Sequence, residues 1–194
     1  MEIAMTLKLL QKGNSKLGKD MLMFNIPASK QICGRLCPGC YAYREQQRYP
    51  KALSARQSRY EASLQLDFVS RIRKEINSLK TKPKYVRIHA SGEFYSQVYL
   101  DNWTRIVKSF PEITFYLYTK RKKDFDFSRL EELSNAIVIN SFHFGGLNYG
   151  SIENAPEGAF ICPHQKGISV QCGKDCTYCM KKEAQSNGVF FIKH

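Results

Sequence analysis

Long apolar runs are missing from this chain. No stretch approaches the roughly 20 residues that a helix needs to cross a bilayer, so no membrane-spanning helix is expected. The opening residues, Met1 to Thr6, lack the basic start and apolar core of a secretory leader, which predicts a cytoplasmic protein. No solenoid repeat and no low-complexity segment breaks the 194 residues, which suit one domain with a hydrophobic core. Acidic residues are scarce, 17 against 30 Lys and Arg, for a net charge of +13. The excess is uneven: residues 30–87 hold 14 Lys and Arg and only 4 Asp and Glu. Such a surface favours a nucleic-acid or nucleotide partner over mere solvation. A paired disulfide set is absent too, since the cysteines number seven. In a reducing compartment, cysteines more often bind metal or do redox chemistry.

Those seven cysteines fall into two groups. Cys33, Cys37 and Cys40 form C-x3-C-x2-C, and Cys172, Cys176 and Cys179 repeat that spacing, with Cys162 upstream. They sit among Gly, Pro, Lys and Asp rather than singly among apolar residues, as core thiols would. Clustered thiolates select zinc or an iron–sulfur cluster. A closed zinc site wants four ligands. The first group offers three and no nearby His, which favours a [4Fe–4S] cluster with one iron open. The second group has four cysteines, enough to close a second [4Fe–4S] cluster or a zinc site, with His164 as a further candidate.

Periodicity supplies the frame. Residues 21–26 read as a buried strand ended by Pro27. Helical spacing runs from Tyr41 to Leu79, divided at Tyr49-Pro50, with Leu64, Phe68, Ile72, Ile76 and Leu79 on one face. Residues 85–90, 113–118 and 137–142 read as strands. A helix over 96–109 separates the first two, with Val98, Tyr99, Trp103, Ile106 and Val107 on its buried side. Ser128 is expected to cap a short helix before the last of these strands. Residues 145–158, with Gly145 and Gly146, read as loop. Residues 159–162 and 189–192 add two further strands. The α/β alternation predicts a parallel sheet in one domain, 1–194, with 1–158 carrying the first cysteine group and 159–194 a cysteine-rich subregion. The first cysteine loop, Ser91-Gly92-Glu93, the run Lys120-Arg121-Lys122-Lys123 and Asn140-Ser141 all fall at the C-terminal ends of strands, where α/β proteins place their sites. Arg71, Arg73 and Lys74, with Lys120 to Lys123, are candidates to track phosphates. Tyr41, Tyr43, Phe94, Tyr95 and Tyr116 are candidates to stack bases, although core packing serves them as well. His89 and His143 are candidates to touch substrate or to pack as core histidines.

The first triplet after a strand, followed by Ser91-Gly92-Glu93 and Asn140-Ser141 on later strands, resembles the motif order of the radical S-adenosylmethionine (SAM) superfamily. Gly39 departs from it, since an aromatic usually precedes the third cysteine. The resemblance implies a partial, open parallel β/α barrel of about six strands with a cysteine-rich C-terminal segment. It implies that Cys33, Cys37 and Cys40 hold three irons and that SAM takes the fourth. Ser91, Gly92, Glu93, Asn140 and Ser141 would contact SAM, with Glu93 on its ammonium group. An electron donor would then drive reductive SAM cleavage, and the adenosyl radical would act on a nucleotide or nucleic-acid substrate. Residues 13–18, 25–28, 40–42 and 87–96, with the C-terminal cysteines, also resemble the phage "gene product eighty-eight" family, which implies a host cytoplasm. Two rival functions stand beside this one. One is a basic nucleic-acid-binding protein held together by iron–sulfur or zinc, and the other is a two-cluster electron-transfer protein.

Overall fold

Alternation along short strands decides the architecture. The computed structural model describes residues 7–14, 16–18, 20–142 and 149–192, the side chains of Tyr149 and Ile192 excepted. His143, Gly145 and Gly146 lie outside them. Five strands form one open sheet in chain order: β1 (Gln11–Lys12), β2 (Met21–Phe24), β3 (Tyr85–Ile88), β4 (Thr114–Thr119) and β5 (Ala136–Asn140). β1 runs antiparallel to β2, and the other three pairings are parallel. Side chains on a strand point alternately to opposite faces. Leu22, Phe24, Val86, Ile88, Phe115, Leu117 and Val138 thus form one face, and Met21, Met23, Tyr85, Tyr116, Ile137 and Ile139 the other.

Helices cover the first face. They follow in the order α1 (Lys30–Cys33), α2 (Tyr41–Arg48), α3 (Pro50–Ser63), α4 (Phe68–Asn77), α5 (Gln97–Lys108) and α6 (Ser128–Glu131). Phe68, Ile72 and Ile76 of α4 and Leu100, Trp103, Ile106 and Val107 of α5 supply the apolar contacts. Ser96 caps α5, its hydroxyl accepting from Tyr99 N. Three details differ from expectation. Leu64 is exposed because α3 stops at Ser63 and a turn resets the phase before α4. Val98 is exposed because it lies off the stripe of Tyr99, Trp103 and Ile106. Ser128 is the first residue of α6, not its cap; its N–H donates to Asp126 Oδ1.

The C-terminal segment covers the second face, which in a closed barrel would be the interior. Cys162, Met180, Ala184 and Val189 pack there, the third from α7 (Lys182–Asn187). The expected strand over 159–162 is a single bridge, Ile161 to Phe190. The expected strand over 189–192 shortens to β7 (Phe191–Ile192), which pairs with β6 (Tyr149–Gly150) in a separate two-stranded sheet. The structure is therefore a mixed α/β fold on a five-stranded, mostly parallel sheet that does not close. Six barrel strands are not reached because the late segment spends its residues on loops and 3-10 turns. No helix among the described residues is long and apolar enough to cross a membrane.

Candidate functional site

A tight clasp behind the sheet's C-terminal edge fixes the loop 89–93. Asn25 Oδ1 accepts from Ala90 N and Ser91 N at 2.8 and 3.1 Å. Ser91 Oγ donates to Ile26 O at 3.0 Å. Gly92 has φ +86°, and a Cβ there would lie 2.4 Å from Ile26 Cγ1, so the position admits only glycine. His89, at φ +63°, makes the turn out of β3. The loop's one long polar side chain, Glu93, is thereby aimed across to the end of β4. Its Oε1 accepts from Phe94 N and Thr119 Oγ1, both at 3.0 Å, and its Oε2 from Lys120 N at 2.8 Å. Burial raises its pKa to about 7 against those hydrogen bonds. It takes part in none of the ion pairs among the described residues.

The first cysteine loop lies against the same edge. Ser29 caps α1, which ends at Cys33, and Gly34 follows at φ +74°. Arg121 occupies the space a Gly34 side chain would need, donating from Nη1 to Cys33 O at 3.0 Å. Lys120 Nζ is 3.0 Å from Cys37 Sγ. Arg35 lies over the Phe142 ring, 5.0 Å from its centroid, tying the loop to the end of β5. Tyr41 donates its hydroxyl to Ala90 O, and Gln46 of α2 exchanges two hydrogen bonds with the Ala28 backbone. Burial pushes the Cys33 thiol up to about 11, with Glu93, Cys40 and Cys37 adding to the rise. Gly39 takes φ +67° with open space around it. A Cβ there would meet nothing but would sit in the left-handed region, which favours glycine at this position.

One cavity of about 1380 Å³ runs from this edge along the inner face of the sheet. All seven cysteines line it, with Gly92, Glu93, Asn140 and Ser141. The second group roofs it. Cys172 N donates to Lys16 O at 2.8 Å, which docks that loop on the turn 16–18. Cys179 bonds the Tyr118 hydroxyl, and burial lifts its thiol to about 11. Phe160 and Tyr178 stack at 3.7 Å beside it. Among the described residues, no three His, Cys, Asp or Glu side chains converge as a single metal ion requires.

The other expected residues divide between the cavity wall and the rest of the fold. Ser91 is buried and spent on Ile26, away from the cavity. Asn140 Oδ1 accepts from Phe142 N at 3.0 Å, an Asx turn in its own loop. Lys120, Arg121 and Lys123 line the cavity, whereas Lys122 pairs with Glu131. Arg71, Arg73 and Lys74 lie on α4, apart from it. Phe94 is core and Tyr95 stacks on Tyr99 at 4.3 Å, so neither is free to stack a base. Tyr41 and Tyr43 are exposed, and Tyr116 is buried in the cavity wall. His164 is exposed and lines a separate hollow. His89 is buried, with Nε2 2.8 Å from the Tyr99 hydroxyl. Sequence reasoning missed Arg87. Its signal was a charge within the apolar, alternating run Tyr85-Val86-Arg87-Ile88.

A family model described as Gene product 88 matches residues 8–145. The chain belongs to the Gene product 88 family. Two relatives, each named Gene 88 protein, come from Mycobacterium phages D29 and L5. The first is 34% identical over 56 residues, 29% of this chain and 23% of the relative. The second is 40% identical over 38 residues, 20% of this chain and 16% of the relative. The chain thus spans less than a quarter of the length of these Gene 88 proteins. No solved structure matches it. The Gene product 88 match ends before Cys162, so the second cysteine group, counted in the resemblance, lies beyond it.

Proposed function

We propose that this Gene product 88 protein is an iron–sulfur enzyme of radical SAM type, acting on a nucleotide or nucleic-acid substrate in the host cytoplasm. The observation that carries this reading is the single cavity lined by all seven cysteines and by Glu93. Cys33, Cys37 and Cys40 are the candidate ligands of a [4Fe–4S] cluster, and Cys162, Cys172, Cys176 and Cys179 those of a second cluster or of zinc. Cys33, Cys37 and Cys40 line one space, and three thiol donors with a fourth position open are the donor set of a cluster. When bound, a cluster with SAM supplies one-electron reductive cleavage of a sulfonium, fed by an electron donor.

The chain's own residues do the positioning. Lys120 places its Nζ 3.0 Å from Cys37 Sγ, where it would offset the charge of a ligating sulfur. Glu93 is held by Thr119 Oγ1 and by Phe94 N and Lys120 N, which leaves acceptor capacity on Oε2. A buried carboxylate with a raised pKa and no ion pair is suited to receive an ammonium ligand such as that of SAM. Asn140 and Ser141 contribute wall at the same edge. Ser91 and Gly92 serve by shaping the loop that aims Glu93.

Anaerobically purified full chain should carry iron and acid-labile sulfide, and dithionite with SAM should yield 5′-deoxyadenosine. Cys37→Ala should abolish both the first cluster and that product. Glu93→Ala should keep the cluster and weaken SAM binding at least tenfold. Zinc without sulfide would instead support the basic binding protein. Two reversibly reduced clusters with no response to SAM would support electron transfer. Either result ends the enzyme reading.

A further inference from the structure

Arg87 is a cation in the middle of a parallel sheet. It stands on β3, on the face that also presents Met23 and Tyr116. Its guanidinium lies over two tyrosine rings, 5.9 Å from the Tyr116 centroid and 5.4 Å from that of Tyr118. Both rings and Arg87 line the cavity. Its Nε is buried without a hydrogen-bond partner, and Arg87 takes part in none of the ion pairs among the described residues. The half-buried guanidinium also hydrogen-bonds the Tyr116 side chain and feels Cys172 and Cys179, but no carboxylate among the described residues pairs with it, so its idle Nε and its charge favour an anion that completes the site.

We propose that Arg87 anchors an oxyanion site on the inner face of the sheet, taking the phosphate group of the ligand that enters the cavity. The inference deepens the reading of that cavity as a nucleotide-class substrate site and rests on it. The guanidinium fork matches phosphate bidentately, and flat aromatic walls hold it in one plane. The excess of charge selects phosphate over a monoanion. Lys16, Lys120 and Lys123 also line the cavity and belong to none of those ion pairs, whereas the wall's Glu45 and Asp124 pair with Arg56 and Arg121. Glu93 is the one wall carboxylate outside those pairs, and Arg87 with these three lysines outweighs it, so the net potential stays positive and a dianion gains most. The site lies between the two cysteine groups, which would hold a phosphate-bearing substrate with its far end toward Glu93.

The test is phosphate binding by the anaerobically purified full chain at pH 8, titrated with inorganic phosphate and separately with the monoanion acetate. Saturable phosphate binding is expected, with acetate at least tenfold weaker. Arg87→Met should lose at least tenfold in phosphate affinity, and Arg71→Met, on the outer helix, none. Arg87→Lys keeps a cation in place should the methionine variant fail to fold. It should lose severalfold, because an ammonium lacks the fork. No saturable binding, equal binding of acetate, or unchanged affinity in a folded Arg87 variant would overturn the site. Titration before and after metal loading decides the remaining alternative. Loss of phosphate binding on loading would make Arg87 the counter-charge of Cys172 and Cys179 instead. Deoxyadenosine formation is scored separately, so failure of the SAM reading leaves the phosphate result standing, and the reverse holds.

Discussion

At the scale of single residues, two glycines with the same backbone sign have different reasons to be glycine. Gly92 combines φ +86° with a wall of Ile26 atoms, and Gly39 has only φ +67° in open space. Gly92→Ala should therefore lower stability by roughly 2–4 kcal/mol in urea unfolding, from left-handed strain plus overpacking. Gly39→Ala should cost only about 1 kcal/mol. Two buried titratable groups oppose each other. Glu93 has its pKa raised by burial from 4.5 to about 7, so its contribution to stability is fully present below pH 4.5 and is lost as pH rises toward 7. His89 is lowered by burial from 6.5 to about 3, so its contribution is present above pH 6.5 and is lost as pH falls toward 3. Between pH 4.5 and 6.5 the two slopes offset. Glu93→Gln should unmask a melting temperature that climbs with pH across that window more steeply than in the parent chain, and a parallel pair of curves would contradict the assignment.

Among the elements, the parallel strands were legible because apolar alternation bounded by proline and polar turns has few other readings. The helices were legible wherever one unbroken helix carried the pattern, as with Phe68, Ile72 and Ile76. Leu64 misled because a four-residue spacing spans a helix break as easily as a helix turn. The clasp of Asn25 on the loop 89–93 was not legible, since side-chain hydrogen bonds across 65 residues leave no local period. Nor was the cysteine roof, which is built from 3-10 turns and isolated bridges. The strand-end positions of Ser91, Glu93, Lys120 and Asn140 were legible, but not what each side chain does: Ser91 and Glu93 lie two residues apart, yet one builds the loop and the other lines the cavity. Asn135 belongs with such hidden braces. Its Nδ2 lies 2.9–3.1 Å from the carbonyls of Val107, Phe110 and Ile113, joining the end of α5 to the start of β5. Asn135→Ala should cost about 2–3 kcal/mol, against less than about 0.5 for the exposed Val98→Ala, both read from denaturant midpoints.

The whole molecule is a sheet whose two faces are finished by different parts of the chain. Residues 30–133 supply the helices of one face, and residues 160–190 close the other. A chain ended at residue 158 would leave Met23, Tyr116, Ile137 and Ile139 uncovered, and should bind a hydrophobic dye and precipitate where the full chain stays dispersed. The bond from Cys172 N to Lys16 O gives this arrangement a direction in time. A ribosome releases the turn 16–18, the first cysteine loop and all five strands of the main sheet before the cysteines that roof them. The cavity is thus born open, and closing it needs the latest-made of these segments to find the earliest. The cluster proposed for the first cysteine loop would have that interval, before the roof docks, in which to arrive unobstructed.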